Sequence, residues 1–188
     1  LQIRLLLWLW FGAAFAAGHS GWLARMPPTA LPGLALVLAA VAFSAARRLP
    51  ALRTWLDALD LRALVLLHAV RLVGLFFIPL YLRGELPRAF AVAGVFGETV
   101  VALFAVVLAV APFADERRHR LMLIWSVVGL MDFLLLSITM LRLLGAGAGT
   151  FGTFAVLPLS FIPTLLVPLL LASHGVILLR LLRPKPVA

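Results

Sequence analysis

The chain has 188 residues, of which 64% are hydrophobic and 12% charged, where a soluble domain carries about a quarter charged residues. The formal net charge of +9 does not mark a nucleic-acid-binding module, because the basic residues flank apolar runs and do not cluster in a soluble patch. There is no cysteine, which excludes disulfides, thiolate metal sites and cysteine nucleophiles.

Requiring roughly 17–25 apolar residues per crossing gives an all-α integral membrane bundle of about six transmembrane helices forming a single domain. The expected spans are residues 1–22, 31–46, 61–81, 88–113, 121–144 and 154–182. The first carries Arg4 ahead of an apolar run and resembles a signal peptide in outline, but is taken as a retained span. The chain lacks an initiating Met, so Leu1 is expected to be a trimmed or processed start. Met26-Pro27-Pro28 turn the chain into the second span, which Arg47-Arg48 end. Pro50 then opens a short amphipathic piece, with Leu52, Trp55, Leu56 and Leu59 on one face and Arg53, Asp57 and Asp60 on the other. That pattern suits a helix lying in the membrane interface.

The third span, Leu61 to Tyr81, contains His68 and Arg71, three residues apart and so on one helical face. The turn Arg83-Gly84-Glu85-Leu86-Pro87 leads to the fourth span, where Glu98 follows Ala91, Ala93, Gly94 and Gly97, small residues that let helices approach closely. The run from Asp115 to Arg120 is charged and is expected to be a loop in water, and the fifth span holds Asp132. Gly145 to Gly152 is expected to be a flexible link. The sixth span carries Pro158, Pro163 and Pro168, each expected to kink it, and then His174.

An even number of spans puts Arg4, Arg47, Arg48, Arg53, Arg62, Arg117, Arg118, Arg120, Arg180, Arg183 and Lys185 on one side, and only Arg25, Arg83, Arg88 and Arg142 on the other. Positive charge accumulates on the cytoplasmic side, so both termini are expected there. The excess of arginine over lysine fits a GC-rich bacterial genome, and the location expected is the bacterial cytoplasmic membrane.

At about 1.5 Å per residue, Arg71, Glu98 and Asp132 all fall roughly 15 Å deep, at the middle of a hydrocarbon core about 30 Å thick. An isolated charge there costs at least ~3 kcal/mol, so the three are expected to pair and to bring spans three, four and five together. One arginine cannot neutralise two carboxylates, so one acid is expected to hold a proton part of the time, which is the chemistry of a proton or cation site. A static ion pair that fixes helix register is the competing expectation.

His68 and His174 form a second layer, each ~10 Å from the cytoplasmic surface. Two imidazoles at matching depth on antiparallel helices can serve as axial ligands of haem b or a related pigment, with Arg62 and Arg180 meeting the propionates. No GxSxG elbow, HExxH or P-loop is present, so hydrolysis is not expected. Three function classes remain open: an ion- or proton-linked transporter or channel-like subunit or an accessory subunit of a membrane complex, an electron-transfer or pigment-binding protein, and a purely structural subunit whose buried charges fix helix register. Partners expected are the lipid bilayer and, because the chain is short for an autonomous transporter, further copies or a larger membrane complex.

Gly84-Glu85-Leu86-Pro87-x-x-Phe90-Ala91, with Ala93-Gly94 and Glu98, resembles a pattern in small polytopic bacterial membrane proteins without assigned function. Gly129-Leu130-x-Asp132 and the late prolines before His174 are similar to the same group. The resemblance implies a cytoplasmic-membrane protein and brings no activity with it.

Overall fold

The structure, a computed structural model, describes residues 2–148 and 150–183; Leu1, Gly149 within the glycine-rich link, and Lys185 lie outside the described residues. Among them the chain is helical, with no strand. The helices are α1 (Gln2–His19), α2 (Ala30–Arg48), α3 (Pro50–Ala58), α4 (Leu61–Leu66), α5 (Phe77–Leu82), α6 (Arg88–Val110), α7 (Asp115–Gly145) and α8 (Val167–Leu181). Five segments are long and apolar enough to cross a membrane: Ala30–Arg48, Leu61–Leu82, Arg88–Val110, Asp115–Gly145 and Ile162–Leu181. The apolar helix at the N-terminal end is shorter than these.

The third apolar segment is not one α-helix. Between α4 and α5 the residues Leu67–Phe76 wind as a ten-residue 3₁₀-helix, where runs beyond three or four residues are uncommon. At three residues per turn, side chains at i and i+3 stand directly in line. Val65, His68, Arg71, Gly74, Phe77 and Leu80 are accordingly all buried. A single stripe of the segment thus faces α6, which runs along its whole length.

Other boundaries moved for identifiable reasons. The charged run expected to be a loop in water forms the first turns of α7, where Asp115 and Glu116 complement the helix dipole. Arg118 folds back from there and caps the end of α6, donating to the carbonyls of Leu108 (2.5 Å), Ala111 (2.9 Å) and Phe113 (3.2 Å), groups a helix end leaves without internal partners. Within the stretch expected to be a flexible link, Phe151 is buried and packs with Phe90 and Phe154. Thr153 also donates to Glu85 at 3.1 Å.

The sixth segment starts at Ile162, not Phe154, so Pro158 precedes the helix instead of kinking it. Pro163 sits in a π-turn, Ile162–Leu166, the local widening that commonly accompanies a helix bend. Pro168 lacks the N–H that would bond Thr164 O, and the indole of Trp10 donates to that carbonyl at 2.8 Å, so a neighbouring helix satisfies the freed group. This bond and the stacking of Phe11 on Phe161 attach α1, whose other faces stay exposed.

Two apolar clusters fill the bundle. One, at the Glu85 end, gathers Leu31, Phe77, Leu86, Phe90, Met140, Phe151 and Phe154. The other, at the α3 end, gathers Val65, Val101, Leu108, Met122, Trp125 and Ile177. The amphipathic helix α3 adds Leu52 and Leu56 to the second cluster while Trp55 stays exposed. Between the clusters lies a layer of buried polar groups.

Candidate functional site

The centre of that layer is Arg71, whose side chain is fully buried. Its Nε donates to Glu98 Oε2 on α6 at 2.7 Å, its Nη2 to Asp132 Oδ2 on α7, and its Nη1 to the carbonyl of Gly129 at 3.4 Å. The flat of the guanidinium lies 4.0 Å from the ring centroid of Phe133, a contact strengthened by exclusion of water. Three segments therefore meet on one cation, and the 3₁₀ stretch aims it at both acids.

Small residues make this approach possible. A side chain at Gly74 would strike Glu98 (Cβ at 2.7 Å), and one at Gly97 would occupy the place of Asp132. The Glu98 stem thus rests on Gly74 and the Asp132 carboxylate on Gly97. Glu98 lines a cavity of about 90 Å³ bounded by Phe77, Phe133, Ser137 and Pro163. Asp132 lies instead at the floor of a groove of about 580 Å³ between α6 and α7, walled by Phe96, Val100, Met131 and Leu135. Arg71 bridges two acids that look into different spaces.

His68 and His174 come together as well, with ring centroids 4.1 Å apart and Trp125 against both. His68 Nε2 meets Ser173 Oγ at 2.8 Å, and Ser173 Oγ donates to Leu170 O at 2.8 Å. Because the hydroxyl hydrogen is used on that carbonyl, His68 donates from Nε2 and presents a bare Nδ1. His174 Nδ1 meets Ser126 Oγ at 2.9 Å. Ser173 and His174, neighbours in sequence, thus serve different partners, as adjacent positions on a helix must. His68 Nδ1 and His174 Nε2 have no hydrogen-bond partner among the described residues.

The histidine pair does not fit haem. An iron about 2 Å from each of two imidazole nitrogens would set the ring centroids roughly 6 Å apart with a macrocycle between them. At 4.1 Å, beside Trp125, there is no gap for that plane. Of the residues expected to meet propionates, Arg62 is exposed, and Arg180 donates to Leu56 O (3.1 Å) and Leu59 O (2.8 Å) at the end of α3. No group of three metal-binding side chains occurs among the described residues either.

The two layers expected from depth are in contact. A side chain at Gly129 would meet the His174 ring at 2.6 Å and Arg71 Nη1 at 3.4 Å, so both abut the same glycine. Gly129, Phe133, Ser126 and Ser173 belong to the site and were not expected there. Ser126 lies six residues before Asp132 on α7 and Phe133 directly follows it, the signal that spacing alone offered.

An all-helical chain with several long apolar helices is compatible with a membrane bundle. Over residues 28–182 the chain matches the family described as Domain of unknown function (DUF8737). The chain belongs to that family. The match includes Arg71, Glu98, Asp132, His68 and His174 and leaves out α1. No curated protein and no solved structure matches the chain.

Proposed function

We propose that the chain is a multi-pass protein of the bacterial cytoplasmic membrane that binds a proton or monovalent cation at Arg71, Glu98 and Asp132. It would act as a small ion-linked transporter or channel-like subunit, on its own, as a homo-oligomer, or as an accessory part of a larger membrane complex. The observation that carries the reading is the charge imbalance: one guanidinium is hydrogen-bonded to two carboxylates. With both acids ionised the cluster carries one negative charge, and in a low-dielectric interior that charge calls for a bound proton or cation. Glu98 borders a cavity of about 90 Å³ and Asp132 the α6/α7 groove, which supports two distinct places for that proton or cation beside one arginine.

The topology proposed has the α3 end cytoplasmic, on the strength of the arginine distribution. Six crossings put both termini there. If the short α1 does not cross, the chain before α2 changes side and the orientation of the other five helices is unaffected.

The test is ion flux into proteoliposomes loaded with a pH-sensitive dye under an imposed gradient. Glu98→Gln and Asp132→Asn should each lower flux by about tenfold or more, as expected when a positioned proton-transfer group is removed, while helix content and monodispersity stay unchanged. Full flux in the double variant would reduce the cluster to a structural ion pair.

A further inference from the structure

We propose that a cleft at the junction of α2, α3 and α8 binds the phosphate-bearing headgroup of an anionic glycerophospholipid. The cleft has a volume of about 220 Å³ and is lined by Arg47 at the end of α2, Arg53 and Asp57 on α3, and Arg180 and Arg183 at the end of α8. Asp57 is the one acid among these lining residues, and it is shared: Arg183 Nη1 lies 3.0 Å from Oδ1 and Arg53 Nε 3.9 Å from Oδ2. Arg180 spends Nη1 on the carbonyls of Leu56 and Leu59. Arg47 has no carboxylate within ion-pair distance among the described residues.

Four guanidiniums against one carboxylate leave three positive charges. The ends of α2 and α8 each contribute roughly half a negative charge, so about two remain uncompensated in one cleft. Like charges lining one cleft repel, an anion between them relieves that repulsion, and a phosphate is the anion whose oxygens guanidinium forks match.

Position and lining select the lipid over a free ion. The cleft sits where two membrane-length helices end beneath the amphipathic α3, whose Trp55 is 40% exposed, and tryptophan at such a level marks the headgroup region. Its remaining walls are apolar: Ala46, Val176 and Leu179 on the helix flanks. Arginines facing water and aliphatic groups facing inward suit an amphiphile, and basic pockets between helices on the cytoplasmic side are sites of this kind. The inference depends on membrane residence and not on the ion-site reading.

The experiment uses the full chain, purified and analysed by native mass spectrometry for retained lipid and by thermal unfolding. Phosphatidylglycerol and phosphatidylcholine with the same acyl chains are the probes, with inorganic phosphate as a third arm. The wild type should retain and be stabilised by phosphatidylglycerol over phosphatidylcholine. The triple variant Arg47→Gln/Arg53→Gln/Arg183→Gln, which leaves the α3 cap at Arg180 in place, should weaken that preference by roughly a hundredfold. Asp57→Asn, which adds a net positive charge to the cleft, should tighten phosphatidylglycerol binding by about fivefold. Equal retention of both lipids, an unchanged triple variant, or Asp57→Asn binding no tighter than wild type overturns the proposal. Stabilisation by inorganic phosphate equal to that by phosphatidylglycerol would assign the cleft to the free ion and overturn it as a lipid site.

Discussion

Arg71 holds the bundle's polar layer together because every nitrogen of its guanidinium has a partner and none reaches solvent. Removing one member of such a buried pair typically costs 3–5 kcal/mol, through the uncompensated charge left behind. Arg71→Met should therefore lower the thermal midpoint sharply or abolish folding, and Glu98→Gln/Asp132→Asn in the same chain should restore much of the loss, measured by fluorescence-detected size exclusion after heating. A triple variant no more stable than Arg71→Met would mean that Arg71 acts by packing on Phe133 and not by charge. The three members of this cluster were legible in the sequence, since ionisable residues stand out against an apolar background and depth follows from counting residues. The histidine arrangement was legible only as equal depth. Ring-to-ring distance, and with it the mismatch with haem, depends on how closely the third segment and α8 approach, which no spacing in one chain reveals.

At the scale of elements, arginines at helix ends turned out to be structural. Arg118 and Arg180 cap the carbonyl ends of α6 and α3, a role that hydrogen bonds to a charged donor make worth about 1.5–3 kcal/mol. Arg118→Gln should destabilise the bundle by about that amount and leave ion flux per folded molecule intact; a flux defect at normal stability would tie this end of α6 to transport. In sequence, Arg118 looked like one charge among six in a solvated run, because a cap is defined by where the preceding helix stops. The 3₁₀ stretch was illegible for a related reason. A helix period is detected by contrast between polar and apolar faces, and Leu67–Phe76 is apolar on nearly every side. Only the positions of His68, Arg71 and Gly74, three apart, hinted at a threefold winding.

At the scale of the whole molecule, membrane length and apolar composition were readable before any coordinates, and two apolar clusters divided by one polar layer give that composition its organisation. The arginine asymmetry predicts that a reporter fused after α8 is active in the cytoplasm, and that a cysteine placed in the Arg83–Pro87 turn is labelled by impermeant reagent from outside intact cells. Labelling of that turn only after the cytoplasm is opened would reverse the topology. The winding of the third segment then has a mechanical meaning. A 3₁₀-helix turns about 120° and rises about 2.0 Å per residue, against about 100° and 1.5 Å for an α-helix. If Leu67–Phe76 rewound as α-helix, α5 would be drawn inward by about 5 Å and rotated by about 200°, so the segment is a screw, and the bonds of Arg71 to α6 and α7 cross its thread. Spin labels placed at Leu61 and Leu82 should move closer by about that 5 Å in the Glu98→Gln/Asp132→Asn variant, and an unchanged distance would show that packing against α6, not the ion pairs, sets the thread.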